Sequence, residues 1–159
     1  MPKEKRIFTL SSFLESLGDT ARALPEYIRA YTGPERMAAA FREQIMLSIS
    51  RMNDCRYCTA IHGAWAEKVG LDEEQRAALV DLEPGSFDRR TWVALAWARR
   101  LVDDDAAPDP DLDAELRAHY SEREIAAIKA VAIAINLANR SGNTWDAFLE
   151  RLGLPVGKG

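Results

Sequence analysis

Cysteine and histidine are scarce in this chain, with two of each among 159 residues. So few cysteines exclude a disulfide-stapled scaffold, and a chain of this length buries a core without staples. Apolar runs long enough to cross a bilayer are also missing. The most apolar stretch, 126–138 (AAIKAVAIAINLA), is too short and carries Lys129 and Asn136. Basic residues are in deficit, 21 Lys and Arg against 25 Asp and Glu, for a net charge of −4. That balance argues against a nucleic-acid partner, which needs a concentrated basic surface. The doublets Arg89-Arg90 and Arg99-Arg100 read instead as solvated helix faces or subunit contacts. The opening stretch MPKEKRIFTLSSF has neither an apolar core nor a cleavage signal, so a cytoplasmic protein with no membrane attachment is expected. Strand signals are lacking too: QIMLSIS at 44–50 could pass for a strand, but nothing in the chain offers it a partner.

What is present is helical periodicity. Leu10, Phe13, Leu14, Leu17, Ala21, Leu24, Tyr27 and Ile28 recur at three- and four-residue steps, with Pro25 expected to kink or divide the segment. Residues 35–52 read as a long helix. Asn53 and Asp54 break it, and Asp54 is placed to cap a new helix running from Cys55 to about Val69, where Gly70 stops it. Asp72 with Gln75 forms a capping box for a short helix to about Leu82, and a further helix covers about 87–102. The polar, proline-rich segment 103–111 reads as a surface connection. Ser121 with Glu124 caps a final long apolar helix, and Gly142 precedes a short terminal one. The expected class is all-α, one domain over 1–159. Trp65, Trp92, Trp97 and Trp145 fall at helical positions and read as core or subunit interface.

A shift of the chain by 81 residues sets Arg42-Glu43 on Arg123-Glu124, and Cys55, Cys58 and His62 on Asn136, Asn139 and Asn143. This suggests two related helix pairs, the second a degenerate copy at about 116–150 that has lost its chemistry.

Both cysteines and one histidine crowd into EQIMLSISRMNDCRYCTAIHGAW, residues 43–65. On a helix, Cys55, Cys58 and His62 project from one face, which brings two thiols within disulfide reach and an imidazole one turn beyond the second. Free N–H groups at the helix start favour thiolate over thiol. A structural zinc site needs four ligands; three are here, and Glu43 offers a fourth. A thioredoxin-type motif needs a preceding strand, which is absent. Two inert buried thiols are the plain alternative. A redox dithiol accounts best for both cysteines meeting at CxxC beside a histidine in a reducing cytosol.

The pattern E-x11-C-x2-C-x3-H, carried by Glu43, Cys55, Cys58 and His62, resembles the AhpD-like alkylhydroperoxidases of the carboxymuconolactone decarboxylase superfamily. The resemblance is strongest over about 35–80. It implies an AhpD-like helical fold with internal duplication and assembly into a homotrimer or homohexamer. It implies Cys58 as the peroxidatic thiol, Cys55 as the resolving thiol, and His62 with Glu43 as a proton relay acting through a water. A small organic hydroperoxide would be the substrate, and a lipoyl-bearing or thioredoxin-like protein the external reductant. No metal, flavin or other cofactor would be needed. The helix dipole alone favours Cys55 as the acidic thiol, whereas the histidine favours Cys58. Tyr57 stands where the best-known pattern has a second histidine, and its ring is expected to pack against the preceding helix. A redox sensor without turnover, or a lyase acting on a lactone acid, would be the competing functions.

Overall fold

The computed structural model describes residues 5–156. The first four residues of the stretch read for export signals, and both ends of the expected 1–159 domain, lie outside these. Among the described residues there are seven helices and no strand: α1 (Leu10–Tyr31), α2 (Ala39–Met52), α3 (Arg56–Lys68), α4 (Glu73–Ala78), α5 (Arg89–Leu101), α6 (Pro110–His119) and α7 (Glu122–Arg151). None of them is long and apolar enough to cross a membrane.

The interior is built around α2. Its residues Ile45, Met46, Leu47, Ser48, Ile49 and Ser50 are all buried, as expected for a helix apolar on more than one side. It is enclosed by α3, α5 and α7, while α1 lies along α7. Leu47, Ile49, Leu95, Ile128 and Val131 have no exposed surface. Truncating Leu47 to Ala leaves a void in this sandwich. The expected loss is about 2–5 kcal/mol, read as a lower urea midpoint with an unchanged slope.

Capping chemistry sets several boundaries where the sequence places them. The boxes Asp72/Gln75 and Ser121/Glu124 open α4 and α7. Helix α2 begins at Ala39 rather than at 35, and α4 ends at Ala78 rather than near Leu82; four further readings differ for a local reason. Pro25 does not divide α1, because it and Ala21, whose carbonyl loses its partner, both lie exposed where water can satisfy the freed group. Segment 103–111 is not all connection: Asp109 accepts from the Leu112 N–H at 3.1 Å and Pro110 takes the first helical position of α6. Gly142 does not end a helix, since α7 runs unbroken for 30 residues. Asp54 is not the cap of α3; it takes a left-handed backbone (φ 52°) in the turn, and Cys55 is the capping residue.

The arginine doublets tie elements together rather than merely coating them. Arg90 reaches Glu124 and the His119 carbonyl, and Arg99 donates to the Val80 carbonyl at 2.7 Å. Trp92 and Trp97 pack on the core, whereas Trp65 and Trp145 stay about half exposed.

Candidate active site

The α2–α3 turn must present both ends of a helix break to the protein interior, and it does so through amides. Asn53, fully buried at the end of α2, donates from Nδ2 to Asn136 Oδ1 (2.9 Å) and Asn139 Oδ1 (3.1 Å) of α7. Asn143 Nδ2 donates to the Asn53 carbonyl at 2.7 Å, and Asn139 Nδ2 donates to Ser50 Oγ at 3.1 Å. Most buried polar groups are paired, and the Asn53 amide nitrogen is, although its Oδ1 accepts no hydrogen bond among the described residues. These amides therefore fix the turn, and with it the capping residue of α3, against one face of α7.

That capping residue is Cys55, whose Sγ accepts from the Cys58 N–H at 3.4 Å. Both thiols are free, and Cys55 is 1% exposed against 9% for Cys58. A small reagent therefore meets Cys58 first. The two are electrostatically unequal. Cys58 is pushed down to about 7, first by a hydrogen bond from the Cys55 thiol and also by the Asn139 side chain, against the opposing effect of burial. Cys55 moves the other way: as donor to Cys58, and buried, it is held well above the ordinary thiol range. The helix start thus does not make Cys55 the acidic thiol; it serves as donor to its neighbour. Because the Cys58 shift is downward, its thiolate prevails above about pH 7 and is lost below it. Alkylation of Cys58 by iodoacetamide should rise through about pH 7 and then level off, with Cys55 slow throughout, as followed by peptide mass mapping.

Glu43 lies on the inward side of α2, 6% exposed, as its apolar neighbours suggested. Its Oε2 is 2.8 Å from His62 Nδ1. An ionised carboxylate only accepts, so Nδ1–H is the donor to it, and in the neutral imidazole Nε2 is then the nitrogen without a proton. His62 stands one helical turn beyond Cys58 on α3. The four residues singled out from the sequence form two pairs, Cys55 with Cys58 at the α2–α3 turn and Glu43 with His62 between the two helices. Among the described residues no group of three or more His, Cys, Asp or Glu side chains is placed to hold a metal ion.

Both residues between the cysteines are anchored. Tyr57 is tied to α7: its hydroxyl donates to Asp146 Oδ1 at 2.8 Å. Arg56 clasps the same carboxylate with two bonds, Nε to Oδ2 at 2.9 Å and Nη2 to Oδ1 at 3.0 Å. Arg56 first, and Tyr57 with it, hold the buried Asp146 below the usual carboxylate range. Gly142 is the place where α7 passes under the dithiol: a Cβ there would sit 3.3 Å from Cys55 Sγ and 3.4 Å from Tyr57 Cδ2.

Asn139 and Asp146 were not identified from the sequence as parts of the site. One signal pointed to the first of them, the 81-residue shift that sets Cys58 on Asn139; the two side chains are in contact.

Residues 18–100 match the carboxymuconolactone decarboxylase family, a span that includes Glu43, Cys55, Cys58 and His62. The chain belongs to that family. An uncharacterized protein from Bacillus subtilis (strain 168), YdfG, is 26% identical over 113 residues, 69% of this chain and 76% of that protein. The crystal structure of ATU0492 from Agrobacterium tumefaciens, a protein of unknown function described as a candidate antioxidant defence protein AhpD, shares the fold. Its TM-score is 0.63 at 25% identity, covering 97% of this chain and 100% of the other. The all-α, AhpD-like architecture expected from the motif is therefore the observed one. In this family member Asn139 and Asp146 lie beyond the matched span, so α7 supplies anchors that the family match does not include.

Proposed function

We propose that this protein reduces small organic hydroperoxides with its CxxC dithiol, Cys58 acting as the peroxidatic thiol and Cys55 as the resolving one. The supporting observation is the inequality of two adjacent thiols: the more exposed Cys58 is held as a near-neutral acid while its buried neighbour keeps its proton. A thiolate is the nucleophile in peroxide cleavage, and the neighbouring thiol closes the disulfide as its proton leaves with the sulfenic hydroxyl as water.

The steps balance as follows. Cys58 thiolate attacks the terminal peroxide oxygen, the O–O bond breaks, and the departing alkoxide takes a proton to leave as alcohol. Cys58 is then a sulfenic acid. The Cys55 sulfur forms a bond to Cys58 Sγ, water leaves, and a disulfide remains. An external dithiol, on a lipoyl-bearing or thioredoxin-like protein of the cytoplasm, reduces that disulfide by exchange and is itself oxidised. His62, its Nδ1–H held by Glu43, takes the Cys58 proton at Nε2 through a water and returns it to the alkoxide. Decarboxylation of a lactone acid, the reaction in the family's name, needs neither cysteine, so a polarised thiol pair favours the peroxidase reading.

Turnover tests the proposal. The purified protein, supplied with cumene hydroperoxide and a dihydrolipoyl or thioredoxin donor, should consume many equivalents of peroxide per chain. Consumption that stops at one equivalent with every donor would make the disulfide a sensor's switch. No consumption at all would refute the proposal.

A further inference from the structure

Helix α1 carries two stripes, and the wrong one faces water. Phe13, Ser16, Thr20, Ala23, Tyr27 and Ala30 are buried or half-buried, along the side of α1 that lies on α7. On another face, Leu10, Leu14, Leu17, Leu24 and Ile28 are 77%, 57%, 45%, 50% and 52% exposed, with Ala21 exposed among them. A surface helix ordinarily turns its leucines inward. A contiguous apolar stripe left in solvent marks an interaction surface.

The spacing says what kind of partner it fits. From Leu10 to Ile28 the steps run four, three, four, three, four, a strict 3.5-residue repeat. That is the period of a seam between two helices rather than of a helix on a globular surface. The same series reads identically from either end. An antiparallel copy of α1 would set Leu10 against Ile28, Leu14 against Leu24 and Leu17 against Ala21, each twice.

Two further observations point to a second copy of this chain. Ser11, Gly18 and Pro25 recur every seventh residue beside the stripe and make a low flank. Glycine weakens the middle of an exposed helix, and the chain's own packing does not require it: a Cβ at Gly18 would meet only the Arg22 guanidinium, at an ordinary 3.5 Å. A closely approaching helix near the two-fold axis does require it. Over that flank, antiparallel pairing brings Glu15 beside Arg22 of the second copy and Arg22 beside its Glu15. Arg22 now pairs with Asp19 on the same exposed helix surface, a contact weak enough to be shared.

We propose that α1 pairs antiparallel with α1 of a second copy, forming a two-fold contact through the stripe from Leu10 to Ile28. A hexamer built as three dimers contains such a contact, and a simple three-fold ring does not.

Sedimentation velocity on the full chain at micromolar concentration tests this. The double variant Leu14→Glu/Leu24→Glu should show a twofold lower mass than wild type with the same far-UV circular dichroism, since both side chains are exposed. Orientation is read separately in the Cys55→Ser/Cys58→Ser chain. Adding Leu14→Cys together with Leu24→Cys should give a covalent dimer on mild oxidation, while either cysteine alone should not. A monomeric wild type, a mass unchanged by the two glutamates, or crosslinking by the single cysteines would each overturn the proposal.

Discussion

Cys58→Ser should abolish hydroperoxide consumption, lowering its rate by roughly 10³-fold or more, as expected when the attacking group itself is removed. The serine hydroxyl keeps nearly the same volume and can still interact with Cys55 and Asn139, so the fold is retained and the loss is chemical. Cys55→Ser behaves differently. It leaves a nucleophile at Cys58, whose acidity the Cys55 donor raises most and a serine hydroxyl can still support, but takes away the thiol that closes the disulfide. The expected result is a first oxidation that still proceeds, followed by accumulation of Cys58 sulfenic acid that dimedone traps. Steady turnover with a dithiol reductant should then be lost. If Cys55→Ser were the inert protein and Cys58→Ser were the one trapped, the two roles would be reversed.

Glu43→Gln should slow the first oxidation of Cys58 by about 10²–10⁴-fold, the range for general acid–base assistance. The substitution is nearly isosteric, but a glutamine amide can donate as well as accept. Opposite His62 Nδ1 it can present N–H, which forces the proton onto Nε2 and removes the basic nitrogen that the carboxylate left free. Stopped-flow oxidation by a single equivalent of hydroperoxide isolates this step from reduction of the disulfide. A wild-type rate in Glu43→Gln would remove His62 from the chemistry and leave Cys58 activated by Cys55 and Asn139 alone. In that event Asn139→Ala would be the variant that raises the pH at which the thiolate forms.

The helical class was readable because the chain states it twice, in apolar periodicity and in caps such as Ser121/Glu124. The boundaries misread were those where a residue's local preference is overruled by its surroundings. Pro25 is tolerated because its face of α1 is wet, and Gly142 lies inside α7 because Cys55 and Tyr57 occupy the space a side chain would need. Residues 110–119 carried a good start signal, Asp109 before Pro110, that the polar composition of the preceding segment obscured. Cys55, Cys58 and His62 were readable because helical spacing puts them on one face, whereas Glu43, on the preceding helix, was singled out chiefly by the family resemblance. Asn139 and Asp146 were not. They come from α7, with Asp146 separated from Arg56 by 90 residues, and in isolation a helical Asn or Asp is an unremarked polar residue. Only the packing of α7 on the α2–α3 turn gives them a role.

The central claim is that Cys55 and Cys58 form one redox unit with hydroperoxide as oxidant. The most direct measurement is the intact mass and free-thiol count of the wild-type chain before and after one equivalent of an organic hydroperoxide. The account predicts rapid loss of both thiols and a mass lower by two hydrogens, with a peptide linking Cys55 to Cys58. Two thiols surviving excess hydroperoxide would contradict it.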